Sequence, residues 1–189
     1  MTMFEYVIVL VSIVIGLALT HLMQGIAGII QHPGRARTWW VHLVWVAFML
    51  LFTIFWWWWQ FNLQQVETWT FGRYLFVLGY AFLMYLLCVL VLPRDLEGYD
   101  GYQEYFLSRR RWFFGFLIAM GAIDLADTLW KGFDHLTSLG WGYAVQLAIL
   151  LVGGLIGLNT RRPAVHAALA IVFLASLVAF VLRAFNTIL

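Results

Sequence analysis

The chain has 189 residues, of which 64% are hydrophobic and only 11% charged, with a formal net charge of +2 and a mean hydropathy of +0.89. This composition excludes a water-soluble domain, and the small, scattered charge excludes a nucleic-acid-binding face. The length accommodates six spans of about 20 residues and little else, so no separate soluble catalytic domain fits.

The apolar runs predict spans over about 4–30, 39–60, 71–93, 112–131, 140–159 and 163–187, within a single transmembrane domain over 1–189. The expected fold is all-α, a polytopic membrane helix bundle. The first run lacks a basic leading segment and is longer than a signal-peptide core of about 7–15 residues, so it reads as a retained span. The second opens on Trp39 and Trp40 and closes on Trp56 to Trp59. Those indole clusters stand about 25–30 Å apart along a helix, the thickness of a bilayer core, where Trp prefers the interfaces. Trp112 and Trp130 bracket the fourth run in the same way. Cys88, in the third, is the single cysteine and cannot form an intrachain disulfide.

Arginine marks alternate gaps. Arg35 and Arg37 lie in the first, Arg94 and Arg109 to Arg111 in the third, and Arg161 and Arg162 in the fifth. The second and fourth hold only Arg73 and Lys131. The positive-inside rule therefore places the first, third and fifth gaps in the cytoplasm of a bacterial inner membrane, with both termini periplasmic. Arg183, late in the last span, dissents.

In the third gap Leu96, Tyr99, Tyr102 or Gln103, and Phe106 recur at helical spacing, with acidic residues first and Arg109, Arg110 and Arg111 last. This predicts a short amphipathic cytoplasmic helix on the membrane surface over about 96–110. The arginine triplet reads either as a topology anchor or as a contact for anionic lipid or a partner. Gly153 and Gly157, Ala164 and Ala168, and Ala175 and Ala179 have the four-residue spacing of close helix contacts. The spacing does not separate packing within the bundle from a homo-oligomer.

Ionisable groups at membrane depth are costly unless paired or hydrated, so they are the candidate functional residues. Asp124, Asp127 and Lys131 share one helix face, with Asp124 about 18 Å and Asp127 about 22 Å from Trp112. Arg73 and Arg183 fall at similar levels. These five residues form either an ion, proton or substrate pathway or a carboxylate–guanidinium clamp. Near the opposite end lie His21, Gln24, His42 and His166, with Thr20 and Asn159. They fit interfacial hydrogen bonding, a proton relay, or haem or metal ligation by His21, His42 or His166. There is no P-loop, GxGxxG after a strand, HExxH, GxSxG or CxxC, so nucleophilic and nucleotide chemistry have no support.

The stretches FEYVIVLVSIVIGLALTHL, RTWWVHLVW, YFLSRRRWFF and RRPAVH resemble a group of uncharacterised bacterial six-span membrane proteins. That resemblance covers nearly the whole chain and implies a fold and a compartment, with no activity attached. In size, span number and tryptophan content the chain is also similar to the substrate-capturing components of energy-coupling-factor vitamin transporters. It departs from them in lacking a clear small-residue docking pattern in the first span and in its outward termini. The function expected is a small channel or transporter-like protein moving ions, protons or a small solute as a homo-oligomer. Alternatives are a haem- or metal-binding redox protein and a non-catalytic accessory or sensor subunit docking through the third gap.

Overall fold

A computed structural model describes residues 2–34, 36–66, 68–130, 137 and 139–186. Its helices are α1 (Met3–Gln31), α2 (Trp40–Trp59), α3 (Phe71–Val91), α4 (Tyr102–Trp130), α5 (Gly140–Asn159) and α6 (Pro163–Asn186), with a short 3-10 helix at Gln60–Gln65. All six α-helices are long and apolar enough to cross a membrane. The architecture is that of an all-helical multi-pass membrane protein.

Local chemistry sets several ends. The Thr2 hydroxyl accepts the Glu5 N–H at 3.2 Å while the Glu5 carboxylate accepts the Thr2 N–H at 2.9 Å, a reciprocal cap for α1. Thr70 caps α3 by accepting from the Arg73 N–H. Pro163 opens α6, where its missing N–H costs nothing.

The expected interfacial helix over 96–110 is absent. Residues 96–101 form turns and bends, and 102–110 are the opening turns of α4, which starts ten residues before the predicted span at 112. Two glycines explain the difference. Gly98 has φ +81°, which cannot continue a right-handed helix. At Gly101 a Cβ would lie 2.7 Å from the Arg37 carbonyl oxygen, so only glycine lets the first and third gaps meet there. The Tyr102 N–H donates to that same carbonyl at 3.1 Å. Phe106, expected at the membrane surface, instead turns into the core.

The helices pack in a closed sequence, α1 on α3, α3 on α4, α4 on α5, α5 on α6, α6 on α2 and α2 on α1, with α2 also reaching α3 and α4. Trp45 of α2, fully buried, fills the space they enclose. Its ring lies 5.2–6.0 Å from those of Phe48, Phe106, Phe113, Phe114 and Phe173, mostly edge to face. Each such contact adds about 0.5–1.5 kcal/mol beyond the area it buries. The interface tryptophans divide: Trp57, Trp58 and Trp59 are exposed on the bundle surface, whereas Trp56 turns inward and stacks on Tyr80.

Three glycines of α5, Gly153, Gly154 and Gly157, face inward. A Cβ at Gly157 would lie 2.5 Å from the Phe114 ring, one at Gly153 2.5 Å from Phe173, and one at Gly154 2.7 Å from Ile118. The Gly153–Gly157 pair therefore serves packing within the bundle, between α5 and its neighbours α4 and α6. Ala164, Ala168, Ala175 and Ala179 are all exposed on the outer face of α6. Gly157→Ala is expected to destabilise the protein by about 1–3 kcal/mol through overpacking against Phe114. Gly16→Ala, where no atom lies within 4 Å of the added Cβ, is expected to leave stability unchanged or slightly raised. Thermal unfolding of the two variants in detergent micelles measures the difference.

Candidate functional site

The polar residues gather at the two ends of the bundle. At the arginine-rich end the organising element is the C-terminus of α3. Pro93 cannot donate an N–H and biases Leu92 to an extended conformation, so the helix stops with its last carbonyls unpaired. Side chains from other helices satisfy them. His21 of α1 donates through Nε2 to the Leu92 carbonyl at 2.6 Å, and His42 of α2 to the Val91 carbonyl at 2.6 Å. The Tyr105 hydroxyl of α4 donates to the Leu90 carbonyl at 3.1 Å.

A carbonyl oxygen only accepts, so Nε2 carries the proton in both histidines. His42 is fully buried, stacks on Tyr102 at 4.5 Å, and its Nδ1 has no hydrogen-bond partner. That is the arrangement of a neutral imidazole used as a donor.

His166 of α6 is also fully buried, with Nε2 3.1 Å from the Thr160 carbonyl and its ring between Phe106 and Phe114. Gln24 is exposed and stands outside this set. Among the described residues no three His, Cys, Asp or Glu side chains converge as metal ligands. All three histidines already spend Nε2 on a backbone carbonyl, which answers a structural need first.

The arginine triplet separates into different roles. Arg109 is exposed and donates to the Tyr99 hydroxyl at 3.0 Å. Arg111 is exposed as well. Arg110 turns inward, 4% exposed, with Nη1 donating to the Leu107 carbonyl at 2.7 Å and Nε without a partner.

At the opposite end α4 and α5 build a hydrogen-bonded chain. The Tyr143 hydroxyl donates to Asp124 Oδ2 at 2.7 Å. A hydroxyl has one proton, so at its second contact, 3.0 Å from Thr128 Oγ1, Tyr143 accepts and Thr128 donates. The order is Thr128 to Tyr143 to Asp124. Thr128 is buried, and Asp124 and Tyr143 are half-buried. Asp127, half-buried, stands one turn along from Asp124. Tyr80 of α3 approaches from the other side, its hydroxyl donating to the Met120 carbonyl at 3.0 Å.

Two of the cations expected near these carboxylates each make a contact that is described. Arg73 donates to the Thr68 carbonyl in its own segment, and the Arg183 guanidinium lies 4.4 Å over the Trp141 ring. Lys131 lies outside the described residues. Tyr143, Thr128, Tyr80 and Tyr105 are the participants that reading the sequence missed. Only Thr128 carried a signal, its spacing of one helical turn from Asp124.

Replacing His42 by Ala strands the Val91 carbonyl in a buried site and is expected to cost about 1–3 kcal/mol of stability. His42→Gln, which can still donate, recovers part of that loss. His32→Ala, at an exposed loop position, changes stability by less than about 0.5 kcal/mol. Denaturant unfolding in micelles provides the comparison. Comparisons with protein-family models, with curated proteins and with solved structures find no match for this chain.

Proposed function

We propose that the protein is a small transporter-like protein of the bacterial inner membrane, working as a homo-oligomer and moving protons or cations through Asp124. The observation that carries this reading is the chain Thr128–Tyr143–Asp124. It places a half-buried carboxylate, hydrogen-bonded by a neutral phenol, within a helix apolar enough to cross a membrane. A carboxylate at such depth is costly unless it is paired, hydrated or able to take a proton. The Tyr143 hydroxyl stabilises the ionised form, and its freedom to rotate gives a proton a route towards Thr128.

The aromatic packing around Trp45 fills the middle of one copy, so the path runs beside the packed core rather than through it. One surface feature supports assembly, the exposed alanine face of α6, part of which, with Val44, Leu174 and Val178, lines an open apolar groove of about 450 Å³. In the orientation that the arginine pattern favours, the arginine-rich end faces the cytoplasm and Asp124 lies in the outer half.

Proton or cation flux into liposomes containing purified protein tests the proposal. Asp124→Asn is expected to abolish flux with folding intact, and Tyr143→Phe to reduce it about tenfold, the loss of one hydrogen bond to a charged group. Equal flux from Asp124→Asn and the parent overturns the reading.

A further inference from the structure

We propose that Arg110 and Arg161, with Arg111 beside them, form a binding site for a phosphate group at the arginine-rich end, between α4 and the loop joining α5 to α6. The site does not depend on what Asp124 does. Arg110 is one helical turn from both Phe106 and Phe114, and both rings pack on His166 in the first turn of α6. The arginine therefore points towards the α6 N-terminus, whereas its neighbours Arg109 and Arg111 are exposed.

Arg161 and Arg111 are the charged side chains near Arg110, and among the described residues no carboxylate offsets its charge. His166 does not neutralise the cluster. With Nε2 donating to Thr160, its buried and unpartnered Nδ1 is a bare lone pair. A covered guanidinium surrounded by like charge is unfavourable by itself, so it calls for an anion.

The donor geometry selects phosphate. Arg110 spends Nη1 on the Leu107 carbonyl, which leaves the edge formed by Nε and Nη2, and Nε is buried without an acceptor. That edge grips two oxygens of one phosphate in a bidentate pair. Arg161, exposed in the loop, can close over a third oxygen. The N-terminus of α6, beginning at Pro163, adds partial positive charge on the same side. The phosphate belongs either to the headgroup of an anionic phospholipid or to a free phosphate from solution.

Two binding measurements on the full-length protein distinguish these sources. In one, the protein sits in phosphatidylcholine nanodiscs with increasing phosphatidylglycerol, and bound phosphatidylglycerol is counted by native mass spectrometry. In the other, inorganic phosphate is titrated onto protein in a neutral detergent. Saturable binding in the first arm identifies a lipid headgroup and in the second a soluble phosphate; either supports the site.

Arg110→Gln is expected to weaken the binding observed about tenfold, and Arg161→Gln about fivefold. Arg109→Gln, an exposed contact, stays within about twofold. Binding of neither probe overturns the proposal, as does Arg109→Gln weakening binding as much as Arg110→Gln. Should Arg110→Gln fail to fold, Arg161→Gln decides, and unchanged binding in that variant overturns the site.

Discussion

A helix that ends among other helices, out of reach of water, must have its last carbonyls satisfied by its neighbours. Pro93 imposes that constraint on α3, and much of the arginine-rich end follows from it. His21, His42 and Tyr105 converge on three successive carbonyls, Leu92, Val91 and Leu90, and so tie α1, α2 and α4 to one point. The seam at Arg37, Gly101 and Tyr102 closes over the same point, and Tyr102 stacks on His42. Histidines that look like ligands or relays in the sequence are here employed as helix caps.

A second constraint governs the other half. Gly153, Gly154 and Gly157 let α5 approach α4 and α6 at distances that a Cβ would forbid, against Phe173, Ile118 and Phe114. Phe114 and Phe173 also pack on Trp45, so the tight α5 contacts and the aromatic core are one continuous structure. That close approach continues along α4 and α5 to bring Tyr143 within 2.7 Å of Asp124. The two ends thus divide their labour. One spends its polar groups on backbone carbonyls, and the other points a hydroxyl at a carboxylate.

Much of the fold was legible in the sequence because membrane spans announce themselves locally, by length and hydropathy. Five of the six helices begin within a residue or so of expectation. The remaining one, α4, begins ten residues early because Gly98 and Gly101 interrupt the periodic run and their conformations end one element and start another. The sites were less legible because their partners are remote in sequence. Asp124 was identifiable as a carboxylate at depth, but Tyr143 lies on another helix and Tyr80 on a third. Likewise Arg109, Arg110 and Arg111 are alike as letters, and only the register of α4 turns the middle one inward. Trp45 lies inside α2, between the indole clusters at its two ends, and serves as core.

Tyr143 donates to Asp124, which we propose is the working polar pair, while His42 holds a helix end. Infrared difference spectroscopy of the reconstituted protein on acidification tests this directly, with the Asp124 carboxyl band assigned by its loss in Asp124→Asn. Tyr143→Phe is expected to shift that band and His42→Gln to leave it in place. A band indifferent to Tyr143, or one displaced by the change at His42, would contradict it.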